Sequence, residues 1–296
     1  MQHVLTLIAP AGQLPAPLIA RVRSALVTLG ANAGSADWLA AEEAADLPFD
    51  GLAPEQAQAA AARVFEGAPV DSIAQPAEGR RKRLLIADMD STIVTSETLD
   101  ELAAYAGLKE RVAEITRRSM NGEIDFATAL RERVAMLKGL ALAALEATWA
   151  DTHLMPGATA LVRTMVANGA HCALASGGFT WFTSRVAEKV GFTSHHANLL
   201  EDDGSSLTGT VAEPVFDRHA KLTTLKQLAA ELGLPLTDTL AVGDGANDLD
   251  MLAAAGLGVA YHAKPVVAAA ARVRVDHADL RALLFAQGYR AAEFVA

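Results

Sequence analysis

From residue 83 onward, short apolar runs are set between polar loops. Leu84-Leu85-Ile86-Ala87, His171-Cys172-Ala173-Leu174-Ala175, Thr239-Leu240-Ala241-Val242 and Gly258-Val259-Ala260 are too short for helices and read as buried strands. Helical spacing fills 158–168 and 221–232, each closed by a glycine, Gly169 and Gly233. Such alternation predicts an α/β fold, a doubly wound parallel sheet with helices on both faces. After the first strand the pattern becomes wholly helical, over 97–106, 109–120, 126–137 and 140–149. That stretch predicts a helical cap at about 96–155. Gly204 and Gly209 suggest a hairpin within 201–211.

The first 79 residues follow another rhythm. Val4-Leu5-Thr6-Leu7-Ile8 reads as a strand, and Leu18, Ile19, Val22, Leu26 and Leu29 mark a helix over 15–29. Two short strands follow at 37–42 and 45–49, then an Ala-rich helix at 54–65 and a strand at 70–74. The order βαββαβ is the ferredoxin-like split pattern, and it is similar to an ACT-like module. Pro76-Ala77-Glu78-Gly79 and the basic run Arg80-Arg81-Lys82-Arg83 read as a linker. The expected domains are therefore 1–79, regulatory or dimerising, and 80–296, carrying the cap.

Composition narrows the function. A 51% hydrophobic chain can bury a sizeable core. With 25 basic against 35 acidic residues the formal charge is −10, which disfavours nucleic acid as a partner. The one cysteine, Cys172, excludes an intrachain disulfide and a thiolate metal cluster. Met1-Gln2-His3-Val4 lacks the features of a signal peptide, and no apolar run reaches the roughly 18 residues of a membrane span. A cytoplasmic protein, with no membrane partner, is expected.

Three strand ends carry unusual polar segments: Asp88-Met89-Asp90-Ser91-Thr92, Ser176-Gly177-Gly178 and Gly243-Asp244-Gly245-Ala246-Asn247-Asp248. Parallel strands bring such ends to one rim, where ligands bind. Two carboxylates at i and i+2 repel, so burying both calls for a cation or a shared proton. Phosphoryl transfer uses all these parts. One carboxylate, Asp88, can be the nucleophile. A second, Asp90, can give and take a proton. Glycine-flanked turns offer N–H groups to phosphate. Mg²⁺ takes carboxylate oxygens such as those of Asp88 and Asp244, with Asp248 as a ligand or supporting group. Lys221, at the start of the helix before the third strand, can neutralise the transferring group.

Asp-x-Asp-x-Thr, then Ser, Lys and Gly-Asp-Gly-x-Asn-Asp, in this order, resemble the haloacid dehalogenase superfamily of phosphohydrolases. Asp88 to Thr98, Leu130-Arg131-Glu132-Arg133-Val134, Ser176-Gly177-Gly178-Phe179 and Val242 to Asp248 resemble its branch that hydrolyses O-phospho-L-serine, the last step of serine biosynthesis. The resemblance covers about 83–284. It implies a haloacid dehalogenase-like fold, with Asp88 as nucleophile and Asp90 as acid/base. It implies Mg²⁺ on Asp88, Asp244 and the Asp90 carbonyl. Ser176 and Gly177 would cradle phosphate, Lys221 would neutralise it, and Asn247 would touch phosphate or substrate. In the cap, Glu97 would receive the substrate ammonium and Arg133 its carboxylate, between apolar contacts from Met120 and Phe126. A bidentate arginine does suit a carboxylate. Other readings are a phosphatase or phosphotransferase for another small phosphomonoester, or an amino-acid-sensing regulatory protein. For the N-terminal domain the expected roles are homodimerisation or effector binding.

Overall fold

The computed structural model describes residues 1–296. Its N-terminal part runs β1 (His3–Ile8), α1 (Ala16–Thr28), β2 (Asn32–Ala33), β3 (Asp37–Ala40), β4 (Ala44–Asp50), α2 (Pro54–Phe65) and β5 (Asp71–Pro76). Strand β1 lies antiparallel to both β4 and β5, in the order β2-β4-β1-β5, with β3 paired to β4. Period-two alternation puts Leu5, Leu7, Leu47 and Phe49 on one face, packed with α1 and α2. Leu29, counted above on the apolar stripe, falls past the end of α1 and is exposed. The other face carries Thr6, whose hydroxyl donates to Asp46 at 2.7 Å, and Arg80 pairs with Asp46 at 2.6 Å.

The remainder opens with β6 (Leu84–Ala87). Four helices follow: α3 (Thr98–Ala104), α4 (Lys109–Met120), α5 (Phe126–Ala135) and α6 (Ala143–Ala150). The chain then runs α7 (Ala158–Ala167), β7 (His171–Phe179), α8 (Thr180–Val190), β8 (Ser194–Asn198), β9 (Leu200–Asp202) and β10 (Leu207–Val211). It ends with α9 (Arg218–Glu231), β11 (Thr239–Gly243), α10 (Leu249–Ala254), β12 (Leu257–Tyr261), α11 (Pro265–Ala270), β13 (Val273–Val275) and α12 (Ala282–Ala286). Six strands form a parallel sheet in the order β13-β12-β11-β6-β7-β8. Leu85 and Ala87 enter the core on one side of β6, and Leu84 and Ile86 the core on the other. A strand buried on both faces needs a continuous apolar run, which is what β6 has. No helix is long and apolar enough to cross a membrane.

Two sheet strands escape the sequence pattern. Strand β8 is Ser194-His195-His196-Ala197-Asn198 and β13 is three residues long, and both lie at edges where little burial is required. Strand β7 also corrects the expected Ser-Gly-Gly turn. Its backbone stays extended through Phe179, and the register against β8 shifts between Ala175 and Phe179. Ala175 and Phe179 pair with His196 and Asn198, so Ser176–Gly178 form the irregularity between them, and the Asn198 amide donates to the Gly177 carbonyl at 2.9 Å.

The cap leaves and re-enters through two adjacent segments. Val94 bridges Leu154, Thr95 N–H donates to the His153 carbonyl at 3.0 Å, and Met155 N–H to that of Ile93 at 2.8 Å. The expected linker is pinned. Lys82 N–H donates to Gln287 Oε1 at 2.9 Å, and the Lys82 ammonium to the carbonyls of Gly79 and Thr237 at 2.9 and 2.8 Å. Just before it, the buried Asp71 carboxylate accepts N–H bonds from Asp276, His277 and Ala278 at 2.8, 3.1 and 2.9 Å. Asp71→Ala is expected to lower unfolding stability by about 3 kcal/mol, read from the urea midpoint. A loss below about 1 kcal/mol would mean that this anchor contributes little.

Candidate active site

Strands β6, β7 and β11 are neighbours, so the three polar segments meet at their C-terminal ends. After Asp88 the chain turns tightly, with the N–H groups of Ile93 and Val94 donating to the Met89 carbonyl at 2.8 and 2.9 Å. Ser91 takes a left-handed φ of 56°, a conformation that non-glycine residues adopt rarely. The turn sends both acids to the rim. Lys221, capped into place by Asp217 at the N-terminus of α9, has 0% exposure and donates to Asp88 Oδ1 and Asp248 Oδ1, each at 2.6 Å. It stands behind Asp88 and does not line the cavity. Asp248 also accepts the Gly245 N–H at 3.0 Å, so both of its oxygens serve the scaffold. A Cβ on Gly243 would strike the Asp248 carboxylate, which explains a glycine there.

A small cavity of about 20 Å³ lies above this floor, enough for roughly one water centre. Asp88, Asp90, Ser176, Gly177, Asp244 and Asn247 line it from below, and Glu97, Met120, Phe126 and Arg133 from the cap. Every expected site residue except Lys221 and Asp248, which stand behind the floor, therefore faces one space. Ser176 Oγ accepts the Gly178 N–H at 2.9 Å, leaving its own proton for a ligand. A Cβ on Gly177 would collide with the Phe126 ring, so this glycine admits the closed cap. The Asn247 Oδ1 is buried without a partner. Arg133 is 3% exposed and makes no ion pair. Its Nε donates to the Ala129 carbonyl at 3.2 Å and its Nη1 to Thr116 Oγ1 at 2.9 Å. Of five guanidinium N–H donors, those on Nη2 remain free of protein partners. A buried unpaired cation is costly, so the site is built for an anion.

The floor has the opposite excess. Burial, then Asp248 and Asp244, push the Asp88 carboxyl well above the usual carboxylate range against the pull of Lys221. Burial, then Glu97, raise Asp90 to about 8, although the Thr98 N–H holds its Oδ1 at 3.0 Å. Burial, then Glu97 and Asp248, raise Asp244 to about 7. Burial would drain charge from Lys221, but Asp248 and Asp88 outweigh it and hold the ammonium protonated. Oxygens of Asp88, Asp244 and Asp248 lie within 4.8 Å of one another. Hard oxygen donors with surplus negative charge fit a divalent cation, and Asp88 and Asp244, with cavity-facing carboxyls, are the pair best placed to hold one.

Four contributors were missed in the sequence. Lys264, just after β12, lies 3.2 Å from Asp244 Oδ2 and 4.0 Å from Glu97 Oε1, and its N–H donates to the Asp244 carbonyl at 2.9 Å. Ser91 donates to Glu97 at 2.8 Å. Asp100 and Thr116 lie behind Arg133. A lysine at one more strand end was a readable signal for Lys264, whereas the others look like ordinary helix and loop polar residues.

Residues 85–253 match the family model of haloacid dehalogenase-like hydrolases. The chain is 42% identical over 222 residues to the phosphoserine phosphatase of Streptomyces coelicolor, covering 75% of this chain and 54% of that one. It thus spans about half the length of that relative. It is 41% identical over 203 residues to the phosphoserine phosphatase of Lactococcus lactis subsp. lactis, covering 69% and 94%. Among solved structures, a phospho-aspartyl intermediate analogue of phosphoserine phosphatase superposes with a TM-score of 0.67 at 38% identity, covering 69% and 98%.

Raised carboxyls bind protons more tightly folded than unfolded, so the stability that they confer is complete below an unfolded value near 3.8 and is lost as pH rises through about 7 and 8. Without divalent cation, Tm should fall between about pH 5 and pH 8. Saturating cation should abolish that fall by favouring the ionised carboxylates. A cation-free Tm that is flat or rising over this span would contradict the charge surplus.

Proposed function

This chain belongs to the haloacid dehalogenase-like hydrolases, and we propose that it hydrolyses O-phospho-L-serine to L-serine and phosphate through an aspartyl-phosphate on Asp88. One observation carries the substrate: the buried, unpaired Arg133 faces the same small cavity as Asp88 and Asp90, with Glu97 beside them. Phosphoserine has a phosphate for the floor, a carboxylate for Arg133 and an ammonium for Glu97. The Streptomyces and Lactococcus relatives are phosphoserine phosphatases by name, which supports the same substrate.

A carboxylate oxygen of Asp88 attacks phosphorus as the bond from phosphorus to the serine oxygen breaks. Asp90, protonated near neutrality because its carboxyl is raised to about 8, gives its proton to the leaving oxygen. Serine leaves, and Asp90, now ionised, takes a proton from water as that water attacks phosphorus. The bond from phosphorus to Asp88 breaks, phosphate departs and Asp88 is restored. Lys221 donates to Asp88 from behind and favours its ionised form against the burial and neighbouring acids that raise its carboxyl. The Ser176 hydroxyl and the Gly177 N–H bind phosphate oxygens, and the Asn247 amide contacts the substrate. Asp88, Asp244 and the Asp90 carbonyl would hold Mg²⁺, which when bound neutralises charge on the phosphoryl group. The small cavity under the cap leaves little room for bulk water beside the acyl-phosphate.

The same reading assigns residues 1–79 to an ACT-like regulatory or dimerising domain and 80–296 to the phosphatase, in a cytoplasmic enzyme of serine biosynthesis. The antiparallel order β2-β4-β1-β5 supports an ACT-like arrangement. A monomeric mass for the full chain by light scattering would remove the dimer.

A phosphate-release screen over phosphoserine, phosphothreonine, sugar phosphates and nucleotides, with and without Mg²⁺, tests the function. Phosphoserine should be preferred and Mg²⁺ required. Arg133→Ala should lower kcat/KM for phosphoserine by at least about 100-fold. Preference for a sugar phosphate or nucleotide would overturn the substrate.

A further inference from the structure

Arg133 is not held by an acid directly. Its Nη1 donates to the Thr116 hydroxyl at 2.9 Å, and that hydroxyl donates to Asp100 Oδ1 at 2.5 Å. All three side chains are buried, at 3%, 3% and 7% exposure. Thr116 comes from α4, Arg133 from α5 and Asp100 from α3, so the chain of bonds ties three cap helices together. A hydroxyl has one proton, and the Thr116 oxygen has two acceptors within reach, Asp100 and the Val112 carbonyl at 3.1 Å. The shorter bond to a carboxylate is the stronger.

We infer that Thr116 and Asp100 are positioning residues that set specificity for the substrate carboxylate by orienting Arg133 without neutralising it. A carboxylate bonded straight to the guanidinium would occupy the fork that the substrate needs. The interposed hydroxyl keeps Asp100 at one remove: its charge still favours the cation, but the free Nη2 donors stay open to a ligand. The hydroxyl also fixes the plane of the guanidinium, and a bidentate contact depends on that plane.

This inference rests on phosphoserine as substrate. The test compares kcat/KM for phosphoserine with that for O-phosphoethanolamine, which keeps phosphate and ammonium but lacks the carboxylate. Thr116→Val, nearly isosteric, should cut the ratio of the two roughly tenfold, chiefly through KM for phosphoserine. Thr116→Ser, which keeps the hydroxyl, should hold the wild-type ratio. Asp100→Asn, which keeps an acceptor but loses the charge, should give an intermediate ratio. A Thr116→Val ratio within twofold of wild type, or a Thr116→Ser ratio as low as that of Thr116→Val, would overturn the positioning role. Wild-type protein inactive on phosphoserine would instead overturn the function on which the inference rests.

Discussion

One buried ammonium organises the floor of the site. Lys221 is wholly enclosed and survives as a cation because Asp88 and Asp248 each accept a short hydrogen bond from it. A lysine in such a place would lose its proton without them. Its two hydrogen bonds tie α9, on which it sits, to the end of β6 and to the loop after β11. Such a pair need not add stability over an apolar core. What it does here is set Asp88 in position, with one oxygen held by the ammonium and the carboxyl lining the cavity.

The site then divides into two charge imbalances facing across a small space. Below, Asp88, Asp90 and Asp244 exceed the local cations, Lys221 and Lys264. Above, Arg133 exceeds its partners, while Glu97 is linked to Ser91 and lies near Lys264. Neither half is comfortable alone, and each asks for a ligand group of definite sign. The cap lies against the floor, with the Phe126 ring seated where Gly177 has no side chain. The carboxylates of the floor and the arginine of the cap therefore lie on different parts of the chain and face the same small space.

How much of this the sequence reveals follows from burial. Strands β6 and β11 are central, covered on both faces, and announce themselves as apolar runs. Strands β8 and β13 are edges and carry no such mark. Ser176-Gly177-Gly178 reads as a turn by propensity, but it stays extended as an irregularity of β7 between Ala175 and Phe179, which pair with β8. Asp88, Asp90 and Asp244 are legible because acids directly after buried strands are unusual. Arg133 is different: on α5 it sits among Arg131 and Glu132, and only the family resemblance separates it from them. The structure does so physically, since Arg133 is buried while Arg131 pairs with Glu213 on the surface. Asp100 and Thr116 carry no mark in the sequence, because their meaning lies in side-chain contacts among three successive cap helices.

The central claim is that Asp88 carries the phosphoryl group. Mixing the enzyme with phosphoserine and Mg²⁺, quenching in acid within one turnover and measuring peptide masses tests it directly. The account predicts one added phosphoryl group on the peptide that contains Asp88, labile to hydroxylamine and absent from Asp88→Asn. Turnover with no phosphorylated peptide at any quench time, or full activity in Asp88→Asn, would contradict it.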